Sequence, residues 1–162
     1  MTESSAPANT LMRRDKAVLV TGCDSGFGLQ LALDLCDQGV QVFATCLSLQ
    51  SIGARRLLAL QNPLMCVIKC DVTSDDDVLA LRKCVDERLD SERVLWAVVN
   101  NAGINFTGDI ELTTLDFFQR VTNVNYLGVV RVTKVFLPLV RQCKGWIILV
   151  LLVVYLAFRE YF

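Results

Sequence analysis

From Lys16 onward, short apolar runs alternate with amphipathic stretches. The runs AVLVT (17–21), VQVFAT (40–45), MCVIK (65–69), LWAVV (95–99) and WIILV (146–150) are rich in β-branched residues and predict strands, the last running to about residue 151. Between them the apolar spacing turns helical. Phe27–Gln38 carries Leu31 and Leu35 on one face, and Gly39 suits the left-handed position that ends a helix. A short helix over Ser51–Gln61 is stopped by Asn62-Pro63. Ser74 precedes a third helix, with Asp77 in the capping-box position and Val78, Leu81, Val85 and Leu89 on one stripe. A long helix is expected over residues 114–141, with Val121, Val124, Leu127, Val132 and Val135 at helical spacing. The strands are continuous apolar runs, as strands buried on both faces are. The alternation therefore predicts an α/β fold with a doubly wound parallel sheet, and right-handed crossovers give the order 3-2-1-4-5.

The polar opening, residues 1–15, lacks an apolar leader and is expected to be a disordered lead-in. Residues 16–151 form the expected domain, and 152–162 a divergent hydrophobic tail. At 162 residues the chain suits one core better than two. Apolar residues make up 53% and charged ones 20%, the composition of a folded chain. A net charge of −1 without a basic block removes the footprint of a nucleic-acid binder. The seven cysteines form no CxxC pair and histidine is absent, so no metal site is expected. An odd cysteine count without a leader points to a reducing, intracellular setting.

The first strand runs into TGCDSGFG, Thr21 to Gly28. In such a turn Gly22 permits the tight bend, Gly26 admits a pyrophosphate close to the backbone, and Gly28 brings the helix against the sheet. The N–H groups at the helix start then face the phosphates. Glycine turns also make purely structural corners, but a strand before and a helix after favour the phosphate reading.

The spacing G-x-x-x-G-x-G, with CDV (70–72) after the third strand and NNAG (100–103) after the fourth, resembles the short-chain dehydrogenase/reductase family. The wording VTGCDSGFG, LWAVVNNAG and VNYLGVVRVT is most similar to its retinol and hydroxysteroid dehydrogenase branch, over roughly residues 16–146. The resemblance implies a Rossmann-like fold whose C-terminal part is missing here, and a parent activity of NAD-linked oxidation of a lipid alcohol. It places Gly22, Asp24, Ser25, Gly26, Phe27 and Gly28 on the dinucleotide turn, and Asp71 and Val72 at the adenine. Asn101, Ala102 and Gly103 would lie beside the adenosine ribose. Asn125, in NVNYLG, matches the asparagine that supports the family's proton relay, although a helix asparagine also bonds to neighbouring backbone. The long helix is the one through which intact relatives pair, which implies a homo-oligomer.

A carboxylate at the end of the second strand would bind the ribose diol and select NAD. That corner reads Thr45-Cys46-Leu47-Ser48, with neither acid nor base. Asp24 in the glycine turn would repel a 2′-phosphate, so NAD is expected over NADP.

The family's chemistry uses a Ser at the end of the fifth strand, a Tyr that passes the proton, and a Lys four residues later that lowers the Tyr pKa. No serine follows Ser91 and no lysine follows Lys144. Tyr155 and Arg159 have the right separation, but they fall inside or beside an apolar run and too soon after Gly145, and arginine is a poor stand-in for an ammonium. The relay is therefore expected to be lacking and this chain inactive, with a non-enzymatic dinucleotide-binding or interaction protein as the alternative. The apolar run Trp146–Phe158 would span ~20 Å as a helix against a ~30 Å hydrocarbon core, so a strand is expected ahead of a membrane contact, here of an endomembrane.

Overall fold

A computed structural model describes residues 15–89, 92–105, 107–150 and 155–157. Strands β1 (Lys16–Val20), β2 (Gln41–Cys46), β3 (Met65–Lys69) and β4 (Val94–Asn100) alternate with helices α1 (Gly26–Asp37), α2 (Ile52–Ala59) and α3 (Asp75–Arg88). A short strand β5 (Thr107–Asp109) and a 3₁₀ turn (Ile110–Leu112) lead to α4 (Leu115–Thr122). A π-helical turn (Asn123–Gly128) joins α4 to α5 (Val129–Gln142). Strands β6 (Trp146–Leu149) and β7 (Tyr155–Ala157) follow.

The main sheet is parallel, in the order β3-β2-β1-β4-β6. This is the expected 3-2-1-4-5 arrangement, because β5 leaves the main sheet to pair with β7 in a separate two-stranded ribbon. Apolar residues cover both faces. Leu19, Phe43, Leu95 and Val98 pack beneath Val78, Leu81 and Val85 of α3 and Val132, Phe136 and Val140 of α5. On the other face, Val18, Val20, Val42 and Ala44 meet Ala32 and Cys36 of α1 and Ala54 and Leu57 of α2. Two-sided burial explains why the strand sequences do not alternate.

Several local expectations are corrected. The buried stripe of α1 is Gly28, Ala32 and Cys36, with Leu31 and Leu35 only half-buried at its margins. Small residues let this helix lie close on the sheet. The long helix does not run evenly from 114 to 141. Its middle widens into the π turn, where Gly128 lies against Val72 so closely that a Cβ would meet Val72 Cγ2 at 2.8 Å. Leu127 is consequently exposed rather than buried. Ser74 caps α3 by accepting from the Asp77 N–H at 3.1 Å, but only half of the capping box forms. The Asp77 carboxylate instead accepts from the Asp71 N–H at 2.9 Å, which ties the helix start to the segment after β3. Pro138 lies within α5, and Arg82 Nη1 donates to the Val135 carbonyl one turn earlier at 2.8 Å.

β6 ends at Leu149, and Val150 continues its pairing by donating to the Asn100 carbonyl at 2.9 Å. The expected continuation to 151 falls outside the described residues, as do residues 1–14 of the expected lead-in and Arg159. Of the expected tail, 152–162, only residues 155–157 are described. Tyr155 begins the strand paired with β5. Among the described residues, no helix is long and apolar enough to cross a membrane.

Candidate functional site

The C-terminal ends of β1, β3 and β4 open onto a cleft of about 580 Å³. Open parallel sheets place ligands there, where the strand order reverses between β1 and β4. The glycine turn forms one wall. Gly22 has φ +72°, and a Cβ there would approach the Ala102 Cα to 2.7 Å, so the turn after β1 and the loop after β4 touch backbone to backbone. Gly26 has φ +60° but faces open space, with nothing within 4 Å of where a Cβ would stand. The first constraint is contact within the chain; the second leaves room for a ligand.

The turn is fastened to the neighbouring loop by two residues. Asn101 Nδ2 donates to the carbonyls of Thr21 (2.9 Å) and Gly22 (3.1 Å). Thr21 Oγ1 accepts from the N–H groups of Asn101 and Ala102, both at 3.0 Å. Gly28 lies under this junction, where any side chain would strike Asn101 Nδ2 and the Gly22 carbonyl. Asn101 thus acts as a brace, its amide nitrogen engaged by the two carbonyls of the turn. Thr21 was not singled out from the sequence, because a threonine ending an apolar strand looks like ordinary β-propensity.

Asp24 bridges to the corner after β2. Its carboxylate accepts from the N–H of Leu47 at 2.8 Å and of Ser48 at 3.2 Å. The Gly53 N–H donates to the Asp24 carbonyl at 3.0 Å, so α2 also abuts the turn. A carboxylate therefore stands at the corner where the strand itself supplies none. The contact links residues more than twenty apart, which local pattern does not reveal.

On the opposite wall, the Asp71 carboxylate accepts from the Thr73 N–H (2.8 Å) and hydroxyl (2.7 Å), which fixes the turn after β3. Val72 is buried against Gly128. Asn125 does not line the cleft. Its side chain accepts from the Ile104 N–H and donates to the Ile104 carbonyl, each at 2.9 Å, gripping the loop after β4 from the π turn. Its partner is backbone, but that of a loop twenty-one residues away and not the neighbouring backbone of its own helix.

Gly22, Asp24, Ser25, Gly26, Phe27, Asp71, Val72, Asn101, Ala102 and Gly103 all line the one cleft, with Gly28 beneath it. Leu47, Cys70, Thr73, Ile104, Arg120, Asn123, Val124 and Val150 join them without having been anticipated. Arg120 brings a cation to the rim, its guanidinium 5.2 Å from the Phe117 ring. The Cys70 thiol at the cleft, and those of Cys23 and Cys46 in the core beneath the sheet's other face, are not poised as nucleophiles. Burial, with the Asp77 and Asp71 charges adding, pushes Cys70 up to about 12. Burial and then Asp24 push Cys46 up to about 12, and burial raises Cys23 as well. No cluster among the described residues could hold a metal ion.

These residues fit a dinucleotide. Gly26 leaves open space beside the start of α1, whose first turn carries no acid and whose Ser25 side chain makes no capping bond. An anion there would meet helix N–H groups and the positive end of the dipole. A doubly wound parallel sheet with this turn at its switch point defines a dinucleotide-binding fold of the Rossmann type.

The short-chain dehydrogenase family model matches residues 16–154, and the chain belongs to that family. It is 42% identical over 136 residues to the mitochondrial D-beta-hydroxybutyrate dehydrogenase of Bos taurus, covering 82% of this chain and 40% of the relative. Estradiol 17-beta-dehydrogenase 2 of Rattus norvegicus is 42% identical over 88% of this chain and 37% of its own length. Retinol dehydrogenase 16 of Homo sapiens is 41% identical over 83% and 42%. The chain thus spans about two fifths of these relatives. Among solved structures, an NADPH-bound carbonyl reductase from chicken fatty liver superposes with a TM-score of 0.70 at 31% identity, covering 78% of this chain and 52% of that one. A 3-ketoacyl-(acyl-carrier-protein) reductase from Brucella melitensis, complexed with NADH, also gives 0.70, at 26% identity over 78% and 51%.

Proposed function

We propose that this chain binds NAD in preference to NADP, holding the adenosine and pyrophosphate in the cleft between the glycine turn and the segment 71–73. The observation that carries the reading is the placement of Asp24, whose carboxylate is pinned by the Leu47 and Ser48 amides. In that position it supplies the negative charge at the corner after β2. A 2′-phosphate brought within about 6 Å of it would meet repulsion of about 1–3 kcal/mol at an effective dielectric of 20–40, a tenfold to hundredfold preference. Gly22, Gly26 and the start of α1 would carry the pyrophosphate, Val72 the adenine, and Asn101 to Gly103 the ribose side. The nicotinamide, when bound, supplies hydride exchange; this chain's residues position and shield the other end of the molecule.

The parent reaction we infer is oxidoreduction of a lipid alcohol of the retinol or hydroxysteroid type, which the relatives' names support. We further infer that these 162 residues bind without turnover by themselves. The family's chemistry passes its proton through a tyrosine with a lysine beside it, and the described residues that line the cleft include neither. The experiment is a calorimetric titration with NAD and NADP, run beside an oxidation assay on retinol and estradiol. NAD binding without activity is expected. An Asp24→Arg variant should reverse the cofactor preference, and tighter NADP binding by the unaltered chain would refute the charge argument.

A further inference from the structure

Three side chains from three elements meet at the wall of the cleft opposite the glycine turn. Arg131, in the first turn of α5, donates from Nε to the Asp75 carboxylate and from Nη1 to Asn123 Oδ1, each at 2.9 Å. Asp75 is the first residue of α3, and Asn123 opens the π turn and lines the cleft. A guanidinium has only donors, so the amide atom it grips is the oxygen. The Asn123 Nδ2, with its two N–H groups, is thereby the end turned over to a ligand. The Arg131 side chain is only 25% exposed and is itself held by a carboxylate, so it fixes the amide rather than following it.

Asn123 sits close to the segment after β3. A Cβ on Gly128 would lie 3.4 Å from the Asn123 carbonyl and 2.8 Å from Val72 Cγ2. Asp71, Val72 and Thr73 line the cleft together with Asn123. This wall therefore carries an acceptor, the Asp71 carboxylate, a donor, the Asn123 amide, and an apolar surface in Val72. Adenine presents the matching set: an N6 amino donor beside the N1 acceptor, on a flat ring. Hypoxanthine presents the reverse, a carbonyl acceptor beside an N1–H donor. The loop after β4 takes the ribose in the reading above, which leaves the edge of the base remote from the sugar to this wall.

We infer that Asn123 reads the base of the dinucleotide by donating from Nδ2 to adenine N1, with Arg131 and Asp75 as the positioning pair that orients its amide. The assignment rests on the dinucleotide reading and adds base selection to it. Asp24 selects at the 2′ position of the ribose; Asn123 selects at the ring. The π turn serves both asparagines at once, directing Asn123 to the cleft and Asn125 to Ile104.

The test titrates the full chain, kept in solution with mild detergent, with NAD and with nicotinamide hypoxanthine dinucleotide. The second ligand differs only at the base, where a carbonyl replaces the amino group and N1 carries a hydrogen. The parent should bind NAD about tenfold more tightly or better, because the amide donor meets an acceptor in one ligand and an N–H in the other. Asn123→Asp keeps an oxygen for Arg131 and loses the donor. NAD should then weaken by about tenfold and the hypoxanthine form by less, bringing the ratio of affinities to about one or below. The added charge opposes both ligands alike, so the ratio carries the result. Arg131→Gln, with Asn123 intact, should lower the same ratio by about threefold, whereas a merely structural role would weaken both ligands equally. A ratio left unchanged by Asn123→Asp, or a parent that binds both ligands equally, would overturn the proposal. If neither ligand binds the parent, the dinucleotide reading itself fails and the base assignment falls with it.

Discussion

Thr21 tests whether the junction between the glycine turn and the loop after β4 is built as described. Its hydroxyl accepts two backbone N–H groups, those of Asn101 and Ala102, at 3.0 Å each. Valine has nearly the same shape, and Thr21 is only 1% exposed, so Thr21→Val removes the acceptor without opening a cavity. Each stranded N–H costs about 1–3 kcal/mol when it cannot reach water. Both amides are only partly buried, which puts the pair near the lower bound, at about 2 kcal/mol. For a domain of this size that corresponds to a fall in Tm of roughly 4–8 °C. Urea denaturation should show a lower midpoint at unchanged slope, the signature of lost native stability rather than altered compactness. Thr21→Ser keeps the acceptor and should recover most of the loss. NAD affinity should weaken in parallel, since the same two amides set the cleft wall. A Thr21→Val protein within about 0.5 kcal/mol of the parent would refute the reasoning, because surface-like substitutions already scatter that much.

The glycines should separate by mechanism. Gly28→Ala drives a methyl into the Gly22 carbonyl and should cost about 2–3 kcal/mol in denaturation, whereas Gly26→Ala, strained but unobstructed, should cost about 1 kcal/mol and act mainly on dinucleotide affinity. Asn125→Ala loses two hydrogen bonds to Ile104 and should destabilise by about 1–2 kcal/mol, with faster amide exchange at Ile104; unchanged exchange would count against the grip. Because Cys46 and Cys70 are held at about 12, they stay neutral at every pH below that, with a thiolate fraction of roughly 10⁻⁴ at pH 8. A maleimide at pH 8 should therefore mark Cys84 and Cys143 well before them, and equal labelling of Cys70 and Cys84 would contradict the burial. The outer edge of β6 meets no further strand among the described residues, and Trp146, Leu149 and Ile148 are exposed there. Sedimentation of the chain in detergent-free buffer should show self-association, and a sharply monomeric boundary would go against an exposed adhesive edge.

Much of the fold was legible because the information is local and repeated. Five apolar runs without alternation, separated by helical stripes, leave few arrangements other than a doubly wound sheet, and the crossover rule then sets the order. What escaped depends on contacts across the chain. The widening of the long helix at residues 123–128 follows from Gly128 settling on Val72 and from Asn125 reaching Ile104, neither of which periodicity records. The incomplete capping box has the same origin: Asp77 is drawn to the Asp71 N–H, a competitor that motif spacing cannot see.

The cleft divides along the same line. Its glycines announce themselves, because few residues tolerate a positive φ or a backbone contact as close as that of Gly22 with Ala102. The residues that hold the glycines in place do not. Asn101 was read as a wall of the ribose groove, yet its amide is spent on the Thr21 and Gly22 carbonyls, so its contribution to a ligand comes through the turn it braces. Asp24 was read for its charge alone, and the structure adds where that charge sits. A lone acid in a mobile turn would select weakly against a 2′-phosphate, being free to swing away. Held by two amides of the β2 corner, it cannot withdraw without giving up both bonds, each worth about 1.5–3 kcal/mol when one partner is charged. That restraint turns a nearby charge into a discriminating one. It also makes Asp24→Asn a sharper test than charge reversal. The amide oxygen can keep at least one of the two bonds while the charge is gone, so NADP affinity should rise severalfold with the fold unchanged. If NADP binding stays as weak in Asp24→Asn as in the parent, cofactor choice rests on shape at the Leu47–Ser48 corner and not on the carboxylate.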